Sequence, residues 1–238
     1  MFRRFHALAL AAAATLAPAS PAAAAIMVAT YQGAIASGYD RTDYFGTGLA
    51  DLTGVAFTAT YRVDTDTAGA TLRDRFPDDA YLYGSDASSP VHGRVTINGR
   101  SLSSGDAYGE AYLKTPFVSR PDGLHHLTQN YAFDGVSVDA SYFELGIFSA
   151  IYQFVLDTDF ETAFTYAADT RDNRYGYLQS YDHNLATDGY ARDINLQFTP
   201  QSVTIAMAAA PEPTAWVLLI AGFGLAGRAL RRRATAPA

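Results

Sequence analysis

Histidines, carboxylates, thiols and activated hydroxyls do most protein chemistry, and their spacing here is the first thing to read. The 238-residue chain has no cysteine, so a thiol nucleophile, a disulfide framework and a thiolate metal site are excluded. Outside the first six residues the histidines are His92, His125, His126 and His183. His125 and His126 are adjacent. On a strand they face opposite sides and cannot chelate one metal together, whereas in a loop they could. No G-x-S-x-G, H-E-x-x-H or Walker sequence occurs. A glycosidase needs two carboxylates facing each other across a cleft. With 24 acidic residues in the chain, pairing acids along the sequence proves nothing.

The acidic loops are read the same way. Asp64-Thr65-Asp66-Thr67-Ala68-Gly69 begins like a calcium loop, but its twelfth position is Arg75 where an EF-hand carries glutamate. Asp78 with Asp79, Asp157 with Asp159 and Glu161, and Asp169 with Asp172 are similar clusters. Any one pair could line a calcium site; the plainer reading of each is a solvated turn. The expectation is a protein with no catalytic residues, no metal and no cofactor, hence not an enzyme.

Aromatic residues are the other candidates. All 16 tyrosines lie between residues 26 and 210. Tyr81 with Tyr83, and Tyr175 with Tyr177, have the spacing of one face of a strand and could stack on sugar rings. Thr58-x-Thr60 and Thr65-x-Thr67 are too short for a flat ice-binding array.

The elements that must position these residues are strands. Segments rich in Val, Ile, Thr, Tyr and Phe alternate with Gly, Asp and Ser. Val55, Phe57, Ala59, Tyr61 and Val63 alternate with polar neighbours, the pattern of a half-buried strand. Ile26 to Ala36, Arg94 to Asn98, Ser101 to Ser103, Ala107 to Lys114, His126 to Phe133 and Val136 to Leu145 are further strands. So are Arg174 to Tyr181, Asp193 to Thr199 and Ser202 to Met207. Asn98-Gly99 signals a type I′ hairpin. Phe148 to Leu156 reads as a buried strand or a short helix. The expected fold is all-β, a two-sheet antiparallel sandwich or jelly-roll-like body over residues 26–208.

Both ends read as signals. Arg3 and Arg4 precede a short apolar core, Leu8 to Leu16, and then Pro18, Ser20, Pro21 and small residues to Ala25. That is the order of a secretory signal helix over residues 1–25, with cleavage near Ala25. It implies the secretory translocon and signal peptidase as transient partners. At the other end Pro211-Glu212-Pro213 leads into an uncharged run, Thr214 to Gly227, which contains Trp216. The prolines favour an extended backbone that a protease cleft can grip. As a helix the run is roughly 21 Å long, short of the roughly 30 Å hydrocarbon core. Extended from Pro213 to Leu230, with Arg228 snorkelling, it just spans. Arg228, Arg231, Arg232 and Arg233 would keep the end cytoplasmic and the body outside. Gly222, Gly224 and Gly227 match G-x-G-x-x-G by chance. No acidic residue follows them, as a dinucleotide site requires, and small residues in an apolar helix serve close packing.

Pro211, Glu212, Pro213 and Trp216, the glycine-punctuated run and the arginine cluster resemble a PEP-CTERM sorting domain of the PEPxxW type over residues 209–233, leaving 234–238 as a short tail. The same tail is also known as the ice-binding protein C-terminal domain, a label that does not make the body an ice binder. The resemblance implies recognition by exosortase, a transpeptidase-like membrane enzyme of Gram-negative bacteria. It also implies removal of the tail and export to the cell surface or to the exopolysaccharide of a biofilm matrix. A second likeness covers Tyr31-Gln-Gly33, Ser37 to Gly46, Phe57-Thr-Ala59 and Asp64-Thr-Asp66, which look like the opening of many PEP-CTERM bodies. It implies a shared β-rich fold and no known activity. Within it, Asp40 and Thr42 are expected to close a loop through backbone hydrogen bonds and Phe45 to pin that loop to the core.

Without the six arginines and one glutamate of the two signals, eleven basic and 23 acidic residues remain, a net charge of −12. Lys114 is the only lysine. Such a surface repels nucleic acid and anionic lipid. The function expected is therefore an exported surface or matrix protein with a structural or adhesive body and exopolysaccharide as a partner. A carbohydrate-binding module, with or without calcium, and an extracellular glycan hydrolase are the alternatives.

Overall fold

The computed structural model describes residues 26–76, 79–115, 122–155, 160 and 162–208. Both terminal signals, with every residue named in them, lie outside the described residues, as do Asp78, Asp157, Asp159 and Glu161. Among the described residues no helix is long and apolar enough to cross a membrane.

The described chain is nearly all strand. In order these are β1 (Ile26–Asp40), β2 (Ala56–Asp64), β3 (Thr71–Phe76), β4 (Asp79–Ser85), β5 (Val91–Ile97), β6 (Arg100–Ser104), β7 (Tyr108–Lys114), β8 (Asp122–Phe133), β9 (Ser137–Ser149), β10 (Phe164–Ala167), β11 (Asn173–Asn184) and β12 (Gly189–Ala208). The all-β expectation holds. The division into two sheets does not appear as such, because the strands hydrogen-bond in one antiparallel path, β3-β4-β7-β8-β9-β11-β12-β1-β2-β5-β6, with β10 beside β12. The path curls until β5 lies against β7 and β8, and the core fills the inside of the curl. Gly93 on β5 makes this approach close: a Cβ there would sit 2.7 Å from Thr128 Oγ1 and 3.0 Å from the Phe143 ring.

Alternation decides which residues reach the core. Met27, Ala29 and Tyr31 of β1, and Phe57, Ala59, Tyr61 and Val63 of β2, are buried. Tyr61 stacks on both His126 and Phe143 across the interior, and Phe57 meets Phe198. The Tyr31 hydroxyl lies 2.9 Å from His126 Nδ1.

Local predictions fared unevenly. Asn98 and Gly99 both take positive φ, as the type I′ turn between β5 and β6 demands. Asp40 accepts from the backbone N–H of Thr42 and of Phe45, and Phe45 is fully buried. Of the run Phe148 to Leu156, Leu156 lies outside the described residues and the rest is neither strand nor helix throughout. Phe148 and Ser149 end β9, and residues 150–155 are irregular, held by N–H groups that bond to side chains instead of a neighbouring strand. The Tyr81 and Tyr83 spacing does fall on a strand, β4, but its hairpin with β3 has no counterpart among the expected strands. The two strands leave the neighbourhood of β2 and pair at the far end of the sheet, on β7.

Candidate functional site: a tyrosine-lined outer face

The face of β4, β7, β8, β9 and β11 turned away from the core carries the polar and aromatic residues of alternate positions. Ladder registry sets them in rows. One row reads Arg73, Tyr81, Tyr112, His125, Gly146, Tyr175. The next reads Tyr83, Glu110, Leu127, Glu144, Tyr177. A third places Tyr108 and Tyr142 on either side of Gln129.

Two glycines let the rings lie flat. A Cβ at Gly146 would sit 2.8 Å from the Tyr175 ring, and one at Gly123 would sit 2.3 Å from the Phe148 ring. Each aromatic therefore lies across the bare backbone of the neighbouring strand. Tyr175 and Phe148 are parallel within 1° at 6.2 Å. Tyr81 stacks on Tyr112 at 4.3 Å, and Tyr112 contacts Phe148. The rings form a continuous belt from β4 to β11.

Between them sits a charged cluster. His125 Nε2 is 3.1 Å from Glu144 Oε1, at ion-pair distance but off hydrogen-bond alignment, and His125 Nδ1 is 3.9 Å from Glu110 Oε1. Tyr108 donates to Glu110 at 2.7 Å, and Tyr142 donates to Glu144. The imidazole, and after it the Tyr142 hydroxyl, hold Glu144 below the usual glutamate range despite its partial burial. Burial first, and the glutamate partners second, push Tyr108 and Tyr142 well above the ordinary phenol value. Each glutamate thus accepts one tyrosine hydroxyl, and Tyr108 and Tyr142 remain neutral donors.

Shallow grooves flank the cluster. Arg73, Tyr81, Tyr83, Tyr108 and Glu110 line one; Lys114, Phe148, Arg171, Asn173 and Tyr175 line the other. The two tyrosine pairs singled out in the sequence therefore share one face, each beside its own groove. His125 and His126 do point to opposite sides. Sequence reasoning missed Glu110, His125 and Glu144 as a unit, along with Tyr112 and Phe148. A usable signal was present in the alternations Tyr108-x-Glu110-x-Tyr112 and Tyr142-x-Glu144-x-Gly146-x-Phe148. Among the described residues no group of three or more histidines and carboxylates is placed to hold a metal ion. Of the acidic loops, Asp64 Oδ1 accepts the Asp66 N–H, a simple turn. Asp172, by contrast, is buried.

Residues 209–233 match the family model of the PEP-CTERM protein-sorting motif. The chain carries a PEP-CTERM sorting motif. PEP-CTERM domains are recognised by exosortase, and the motif implies exosortase-dependent export through the membrane to the cell surface. No curated protein and no solved structure matches the chain. The tyrosine face of the chain that carries this motif is accordingly interpreted from its own geometry.

Proposed function

We propose that the exported body is a non-catalytic adhesive module that binds a neutral glycan of the extracellular matrix of a Gram-negative host. The observation that carries this reading is the aromatic belt, Tyr81, Tyr112, Phe148 and Tyr175, laid flat beside the acceptors Glu110 and Glu144. Flat rings offer apolar faces to the C–H side of a pyranose, and the carboxylates accept its hydroxyls. The acidic surface disfavours an anionic polymer.

The same cluster speaks against hydrolysis. A glycosidase needs one carboxylic acid held protonated near neutral pH. Glu144 is held low, and both glutamates already accept a tyrosine hydroxyl. The deciding experiment is calorimetric titration of the full chain in mild detergent with neutral and uronic-acid polysaccharides. Binding of the neutral polymer, without turnover and weakened tenfold or more in Tyr175→Ala/Tyr177→Ala, is the expected result. Unchanged binding in that variant removes the face from consideration. Turnover abolished by Glu144→Gln would establish the hydrolase instead.

A further inference from the structure

Two carboxylates elsewhere in the body are buried with half of each group idle. Asp122 opens β8, is fully buried, and lies opposite Ser149 in the β8–β9 ladder. Its Oδ2 accepts the backbone N–H of Phe154 at 2.6 Å and of Val155 at 3.0 Å. Its Oδ1 is buried and accepts nothing. Asp172 precedes β11 and is 8% exposed. Its Oδ2 accepts the Tyr166 hydroxyl and the Asp169 N–H, both at 2.6 Å, and its Oδ1 is also buried without a partner.

The two groups belong to one cluster. Tyr166 of β10 donates to Asp172, lies in the field of Asp122 as well, and hydrogen-bonds the Ser149 hydroxyl. Burial, with repulsion from Asp172 added, pushes Asp122 up to about 6 against the pull of its two N–H donors. Among the described residues neither carboxylate makes an ion pair; Arg171, next to Asp172 in sequence, is engaged by Asp169 and Tyr152. A buried, unpaired carboxylate is costly, and a second one within its field adds to the cost. The remedies are a retained proton or a bound cation.

The geometry points to a calcium site held by the free Oδ1 atoms of Asp122 and Asp172, with backbone carbonyls and water completing the shell. The donors are all oxygen, as a hard cation requires, and calcium accepts such an irregular shell where magnesium demands a near-ideal octahedron. A cation there would tie the start of β8, the irregular segment 150–155 and the turn before β11 to one point. This inference does not depend on glycan binding.

The test uses the full chain in mild detergent, with calcium alone and then terbium as the probes. Calcium should raise the melting temperature with an apparent Kd of about 10⁻⁴ to 10⁻³ M, the range of extracellular modules, and magnesium should do so far less. Asp122→Asn and Asp172→Asn should each weaken binding at least tenfold. Tyr166→Phe keeps both carboxylates and should keep the calcium shift, while losing severalfold of the tyrosine-sensitised terbium emission. If the Asn variants do not fold, the native chain still decides. Calcium should raise its melting temperature far more than magnesium at the same concentration, a contrast that needs no variant. No shift in millimolar calcium, or an equal shift in magnesium, overturns the site.

Discussion

His125 and His126 are consecutive on β8 and occupy opposite environments. His126 is fully buried between the Tyr31 hydroxyl and the stacked ring of Tyr61. Burial, aided by nearby His125, drives it down to about 3, so it stays a neutral ring of the core. His125 sits on the outer face between two glutamates. The inner face is thus built from aromatic packing, with the Tyr31–His126 and Ser141–Ser104 hydrogen bonds among its polar contacts. The outer face is built from a charged network framed by the half-buried Tyr81, Phe148 and Tyr175 and the buried Tyr112. Damage to the inner face should cost stability; damage to the outer face should cost recognition.

The largest expected effect is in the core. Tyr61→Ala removes a ring that touches Tyr31, His126 and Phe143 and should destabilise by about 3 to 5 kcal/mol, read as a lower urea midpoint at unchanged slope. A loss below about 1 kcal/mol would mean the curl closes without it. The pH response comes next. An unfolded histidine titrates near 6.5 and His126 near 3. The unfolded chain therefore binds the extra proton first, and stability falls as pH drops through that window, by at most about 1.4 kcal/mol per pH unit. His126→Phe should flatten that slope. Asp122, raised to about 6, acts oppositely: without calcium its contribution is present below about pH 4 and lost as pH rises past 6. Asp122→Asn should remove that second slope.

The two face glycines separate the regions further. Gly123→Ala meets not only the Phe148 ring but the Ile147 carbonyl at 2.6 Å, so the backbone must move. It should destabilise by about 1 to 3 kcal/mol. Gly146→Ala meets the Tyr175 side chain first, and that ring can swing away. It should change stability by less than about 1 kcal/mol yet weaken glycan binding severalfold in calorimetry. Equal behaviour of the two variants would collapse the distinction. The smallest effect belongs to Arg41→Ala, which breaks an exposed pair with Asp193 and should cost no more than about 0.5 kcal/mol.

Much was legible in the chain because it is local. Period-two alternation marked β2, Asn98-Gly99 marked the β5–β6 turn, and the Asp40 loop was readable from side chains that bond within five residues. What escaped needed partners distant in sequence. The β3–β4 hairpin carries weak alternation and finds its place only by pairing with β7. The run from Phe148 leaves the sheet because Asp122, some thirty residues earlier, captures its N–H groups. Asp172 read as a solvated turn because nothing nearby in sequence reveals that Tyr166 and the curl bury it.

By itself the sequence determined that this chain is β-rich, acidic and addressed for export, since composition, alternation and a linear sorting motif are properties of short stretches. Only the tertiary structure decided that one sheet curls on itself, that five separate strands bring Tyr81, Glu110, His125, Glu144 and Tyr175 to one face, and that Asp122 and Asp172 are both buried around Tyr166. Strand registry decides these, and registry is fixed by the burial of a shared core, a condition no single segment can satisfy alone.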